Sequence, residues 1–270
     1  MTPDERLRGI LHARLPGFQR KIAVTQTIIR NALRIDDLCW YAAFSGGIDS
    51  LVMLDLLWRL GIRCDVVWGD DGIDFPETLQ FLTATQARYG VRLIRVRSQD
   101  PWRSWCAEME RPDLAEDPAA LAAWRNPHDW DHQWRSLTKD APGNGYGGVF
   151  LGMLGTRWKQ GGESAARNHQ LRGGWHPTYQ VASEGGMWHC SPLAAWTKHD
   201  VWGYVAANDL PYNPVYDVQA QMGIPIERRR VSALTCFRAV QFGSHAAIRA
   251  GWPDLWNDVA ETFPTIRRYS

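Results

Sequence analysis

The chain has 270 residues, 45% of them hydrophobic and 22% charged, with a formal net charge of +1. That length supports one large domain with a substantial core, and the near-neutral balance excludes a global field that would draw in DNA or an acidic membrane. No run approaches the ~18 apolar residues of a membrane helix, and the opening MTPDERLR lacks the apolar stretch of a signal peptide, so a cytoplasmic protein with no membrane partner is expected.

In chain order, residues 17–34 carry Ile22, Ile29 and Leu33 near helical spacing and predict an amphipathic helix. Residues 38–44 are a mostly apolar strand. A helix then runs from about Ser50 to Leu60, with Gly61 as its stop. Cys64–Trp68 reads as a second strand, Pro76 opens a second helix ending near Gly90, and Val91–Val96 is a third strand. This alternation implies a parallel sheet with helices on its faces. Residues 98–148 break the rhythm with five Trp among many charges and predict an inserted helical segment. Val149–Met153 is a fourth strand, 155–174 a Gly- and Arg-rich loop, Trp188–Cys190 a short fifth strand, and Thr197 caps a helix running to about Asn208. The expected organisation is a domain over 1–217, with the insertion at about 98–148, and a C-terminal extension over 218–270 packed on it.

The five cysteines are scattered with no C-x-x-C pair, so a zinc site has no support. Cys39 and Cys64 fall in strands expected to be buried, as reduced thiols. The basic residues are 26 Arg against 4 Lys. Base composition accounts for such a bias, although Arg also presents a planar fork suited to phosphate.

The first strand ends abruptly in Ser45-Gly46-Gly47-Ile48-Asp49-Ser50, and a helix starts at once. Glycines let backbone N–H groups approach an anion, Ser45 and Ser50 add hydroxyl donors, and the helix dipole adds positive potential. A plain turn with a Ser or Asp cap is the alternative. Asp49 opposes a phosphate unless it holds Mg²⁺ or caps the helix.

The hexapeptide resembles the PP-loop of the ATP pyrophosphatase superfamily, enzymes that cut ATP between the α and β phosphates. Asp70-Asp71-Gly72 with Phe75-Pro76-Glu77-Thr78 is similar to the second-strand signature of the phosphoadenosine phosphosulfate (PAPS) reductase-like branch. Gly155-Thr156-Arg157 followed by Glu163-Ser164 and Arg167 resembles its third element. Ser191-Pro192-Leu193, Trp196, Asp200-Val201-Trp202 and Leu210-Pro211-Tyr212-Asn213-Pro214 resemble its fourth. The four motifs cover roughly residues 38–217.

The resemblance implies an α/β fold: a doubly wound, mostly parallel five-stranded sheet of the adenine nucleotide α-hydrolase type. It places Ser45, Gly46, Gly47, Ser50, Asp70, Asp71, Gly72, Glu163 and Ser164 around the nucleotide. It makes Asp49 the Mg²⁺ ligand and a catalytic residue, with Arg157 and Arg167 clamping phosphate as charge develops. Asp70 or Asp71 would hold ribose, adenine or metal at a strand end; solvated carboxylates are the other reading. Trp202 and Val201 are expected in a helix core and His199 on the surface. His128, His132 and His176 get no role.

The chain departs from the namesake reductase, which attacks with a cysteine in a C-terminal Glu-Cys-Gly-x-His. PDLWNDVAETFPTIRRYS holds none, and the paired cysteines of Fe–S relatives are missing, so no Fe–S cluster is expected. The leading expectation is therefore an ATP–Mg²⁺-dependent adenylating enzyme with an unidentified acceptor. Three acceptors stay open, a small molecule, sulfate or nucleic acid, the last weakly supported by Arg228-Arg229-Arg230. A PAPS reductase with a relocated thiol such as Cys236 is one alternative. A non-catalytic nucleotide- or nucleic-acid-binding module is another. The sequence leaves the oligomeric state open.

Overall fold

Strand β1 (Cys39–Ala43) alternates its side chains between two apolar layers. Trp40 and Ala42 enter the larger cluster with Ile48, Leu51 and Met53, whereas Tyr41 joins a smaller one with Val67, Val149 and Leu151. The structure, a computed structural model, describes residues 1–35, 38–70, 72–97, 111–123, 145–154, 177–181, 187–232 and 243–269.

The described strands are β1, β2 (Asp65–Asp70), β3 (Leu93–Arg97), β4 (Tyr146–Phe150), β5 (Thr178–Val181) and β6 (Met187–Cys190), in the order β3-β2-β1-β4-β6-β5. All neighbours are parallel except β5, which runs antiparallel to β6. The doubly wound α/β expectation holds, with six strands rather than five. The extra strand is the short edge strand β5, too brief to announce itself by alternation.

The described helices are α1 (Pro3–Ala13), α2 (Pro16–Ala32), α3 (Ile48–Arg59), α4 (Pro76–Tyr89), α5 (Pro112–Glu116), α6 (Pro118–Ala123), α7 (Lys198–Ala207), α8 (Val215–Gln221), α9 (Ser244–Gly251) and α10 (Pro253–Thr262). The amphipathic pattern over 17–34 is α2. Helix α1 escaped the sequence reading because its inner face is built of small residues, Gly9 and Ala13. Helix α4 stops where Gly90 takes the left-handed conformation at φ 60°. Helix α3 is buried on every side from Ile48 to Leu57, which its almost continuous apolar sequence requires. Among the described residues no helix is long and apolar enough to cross a membrane.

Two strand expectations change. Strand β4 starts at Tyr146, three residues before the expected Val149 and within the stretch assigned to the insertion. Gly147 and Gly148 belong to it because the side chains of Leu38, just before β1, and Trp40, within it, fill the space above them. A methyl group on Gly148 would stand 2.5 Å from the Trp40 ring, and one on Gly147 would stand 2.5 Å from Leu38. Cys39 is exposed, and Cys64 precedes β2 and is half-buried, so neither occupies the buried strand position expected of it.

Two buried carboxylates tie the helices together. Asp55 on α3 accepts hydrogen bonds from Tyr89 of α4 (3.1 Å), Tyr204 of α7 (2.8 Å) and Arg59 (2.6 Å). Asp200 on α7 is 2% exposed. It bonds His12 of α1 at 2.8 Å, Lys21 of α2 at 2.6 Å and the Thr197 amide at 2.7 Å. Helix α1 crosses α7 at backbone contact, since a methyl group on Gly9 would come 2.8 Å from Ala206 Cβ. The C-terminal residues Trp252, Trp256, Val259, Phe263 and Ile266 enter the same large cluster as the sheet.

Burial pushes the Asp200 carboxyl up, but the bonds from Lys21, Thr197 and His12 outweigh it and hold the group below its ordinary value of 3.8. Its contribution to stability is therefore complete above that value and is lost as pH falls through the lower folded value. Asp200→Asn is expected to cost about 3 kcal/mol at neutral pH, since it leaves Lys21 without its buried partner. Urea denaturation at a series of pH values should show that difference constant above pH 5 and shrinking below pH 4.

Candidate functional site

The order of strands reverses at β1, whose neighbours are β2 on one side and β4 on the other. In such sheets the crevice beyond the strand ends at that point receives the ligand. The Ser45–Ser50 turn lies there. Gly46 has φ +71°, which a side chain would resist, and a methyl group on it would meet Thr78 Cγ2 at 3.0 Å.

The turn is held from all sides. The Ser45 amide donates to Ser50 Oγ at 3.3 Å, and Ser50 Oγ donates to the Gly47 carbonyl at 3.0 Å. Asn213 Nδ2 donates to the Gly46 carbonyl at 3.4 Å and to Thr78 Oγ1 at 2.9 Å. Tyr216 Oη accepts the Ile48 amide at 3.1 Å. The chain leaving β4 presses against the base of α3, where a methyl group on Gly152 would lie 2.7 Å from the Ser50 nitrogen. The amides of Gly46, Gly47 and Asp49 donate to no described group. A braced turn at a helix N-terminus, with amides that meet no described group, has the geometry of an anion cradle.

Asp49 is buried in the first turn of α3, and Lys198 Nζ lies 3.0 Å from both of its carboxylate oxygens. Lys198 is the first residue of α7, behind the Thr197 N-cap, whose side chain and that of Asp200 close a capping box. Asp70, at the end of β2, accepts the Gly72 amide at 2.9 Å and a fork from Arg95, whose guanidinium lies 5.3 Å over Trp68. Its carboxylate is thus already engaged, not free for ribose.

These contacts decide the fit of a resident Mg²⁺. Both oxygens of Asp49 are taken by an ammonium and those of Asp70 by Arg95 and Gly72. Among the described residues no three His, Cys, Asp or Glu gather into a metal site. The groups present do not fit a metal held by the protein in this state.

The structure thus brings Ser45, Gly46, Gly47, Asp49 and Ser50 together, and sets Asp70 and Gly72 at the neighbouring strand end. Asp71, Arg157, Glu163, Ser164 and Arg167 lie outside the described residues, as do Cys236, His128, His132 and His176. Val201 and Trp202 are core and His199 is exposed, as expected. Arg229, in the basic run, is buried and forks onto Glu5 at 2.7 and 3.0 Å, so that run is not a uniformly solvated basic face. Burial pushes the Cys64 thiol up to about 11 and the Cys190 thiol up to about 12.

Sequence reasoning missed Lys198, Asn213, Tyr216, Thr78 and Gly152. One signal was available for the first: a lysine stands out in a chain that otherwise uses Arg. The others act through position in space.

Comparisons with known proteins bear on the family and the fold. The phosphoadenosine phosphosulfate reductase domain matches residues 40–222. An uncharacterized protein of Methanocaldococcus jannaschii is 28% identical, over 79% of this chain and 39% of its own length. Adenosine 5'-phosphosulfate reductase of Deinococcus radiodurans is 32% identical, over 70% of this chain and 65% of its own. The chain spans less than two thirds of either relative. Among solved structures, yeast FAD synthetase in complex with FAD has a TM-score of 0.51 at 17% identity, covering 78% of this chain and 68% of that one, a likeness of fold.

Gly152→Ala should push the start of α3 away from β4 and spoil the cradle while leaving the sheet intact. Overpacking of this kind costs about 1–3 kcal/mol. Calorimetric titration with ATP is expected to show at least a tenfold loss of affinity, with an unchanged far-ultraviolet circular dichroism spectrum.

Proposed function

The chain belongs to the phosphoadenosine phosphosulfate reductase domain family, and from that premise we propose that it is an adenine-nucleotide enzyme. In this reading it takes ATP as its magnesium complex, cleaves it between the α and β phosphates and transfers AMP to an acceptor. The metal arrives with the substrate and belongs to it. The observation that carries the reading is the cradle itself: the amides of Gly46, Gly47 and Asp49 donate to no described group, and they sit where two helix N-termini meet beside the Lys198 ammonium. Such a site favours the charge that builds on a leaving pyrophosphate. The rigid turn supplies positioning, the other large term in phosphoryl-type transfer. Arg157 and Arg167 add forked donors as that charge grows.

A second reading, reduction of a sulfonucleotide, is favoured by the relatives named as reductases. It needs a thiolate nucleophile. Cys39 and Cys64 lie at the starts of β1 and β2, at the opposite end of the sheet from the cradle, and Cys190 is fully buried. The thiol of that mechanism would have to be Cys106 or Cys236.

Incubation with ATP and Mg²⁺, with and without cell extract as the source of acceptor, is expected to release pyrophosphate. Arg157→Ala and Arg167→Ala should each slow release about a hundredfold, equivalent to ~2–3 kcal/mol. Sulfite release from PAPS with thioredoxin, without pyrophosphate release from ATP, would replace the first reading by the second.

A further inference from the structure

Helices α3 and α7 lie side by side with their first turns adjacent, as the Lys198–Asp49 and Tyr204–Asp55 contacts show, and each carries a charged residue in its first turn. Asp49 on α3 suits the positive end of a helix dipole; Lys198 on α7 does not. A cation at that position is electrostatically unfavourable unless an anion faces it. In the described structure that anion is Asp49, 3.0 Å away through both oxygens. Lys198 is nevertheless not sealed in, since 23% of its side chain is exposed, against 11% for Asp49.

Its backbone is fixed more firmly than a surface lysine's. Thr197 and Asp200 close the cap on either side of it, and Asp200 is anchored to His12 and Lys21. An ammonium also carries three donors around a compact charge, so it can keep a carboxylate and meet a second anion at once, which a planar guanidinium does less readily.

We propose that Lys198 is the resident cation of the cradle and that Asp49 is its positioning partner and not a metal ligand. Asp49 holds the ammonium beside the amides of Gly46 and Gly47, which donate to no described group, and the ammonium contacts the phosphate of the incoming nucleotide. Affinity for the phosphate chain then comes from amides and ammonium together, and the protein needs no metal of its own to bind it. This rests on the reading of the cradle as a nucleotide site.

The test compares wild type, Lys198→Met, Lys198→Arg and Asp49→Asn. ATP is titrated calorimetrically with EDTA present and again with Mg²⁺. Mn²⁺ uptake by the nucleotide-free proteins is followed by electron paramagnetic resonance. Wild type is expected to bind ATP in EDTA and to take up no Mn²⁺ on its own. Lys198→Met should weaken binding in EDTA by at least about tenfold, the value of a hydrogen bond to a charged group, and Lys198→Arg should recover part of it. If Lys198→Met leaves Asp49 unpaired and fails to fold, the double variant Asp49→Asn/Lys198→Met removes both charges and carries the same affinity test.

Three results would overturn the proposal while leaving the nucleotide reading in place. They are unchanged affinity of Lys198→Met in EDTA, an outright requirement for Mg²⁺ in wild-type binding, and Mn²⁺ uptake by wild type that Asp49→Asn abolishes. Wild type that binds neither ATP nor PAPS in either buffer would end both.

Discussion

The site depends on one buried carboxylate that never touches it. Asp200 gathers His12, Lys21 and the Thr197 amide around a side chain almost closed to solvent. An ionised group so placed is tolerable only because every bond it accepts comes from a donor that favours its charge. In return it fixes the start of α7 against α1 and α2, and the next-but-one residue, Lys198, inherits that geometry. Remove the hub and the ammonium at the loop has no defined origin.

The same logic runs through the wall behind the loop. Asp55 takes two phenol hydroxyls and a guanidinium, joining α3 to α4 and α7. Burial and the adjoining Asp55 charge push both Tyr89 and Tyr204 far above the usual phenol range, so both remain donors at any ordinary pH. Helix α3 therefore cannot rotate or slide without breaking polar contacts that water could not replace. A turn whose amides must face an anion needs this kind of immobility more than it needs additional ligands.

Much of this was legible in the sequence, and the parts that were not share a cause. The strand–turn–helix at Ser45–Ser50, Pro76 as a helix start, Gly61 and Gly90 as stops and Thr197 as a cap all follow from local chemistry, and the structure has them at those positions. What failed depended on volume or on contacts distant in the chain. Gly147 and Gly148 look like loop until Leu38 and Trp40 fill the space over them. Helix α1 lacks a conventional apolar face because it crosses α7 at backbone distance. The pairing of Asp49 with Lys198 was hidden because nothing in six residues points to a lysine 149 positions away. Asn213 fell in a stretch recognisable as a motif and Tyr216 two residues past it, yet only the fold shows that both buttress the glycine turn.

Helix α1 also bears on how the chain reaches this state. Its contacts are with residues far downstream: His12 meets Asp200 across 188 positions, and Glu5 meets Arg229 across 224. Local helix formation does little for it, since an eleven-residue helix is marginal in water. Closing so long a loop is entropically costly before any contact rewards it. Docking of α1 therefore needs partners far downstream, since it packs over Gly203 and pairs with Asp200 and Arg229. The brace that α1 places on the lysine-bearing helix thus carries one of the longer loop closures of the fold.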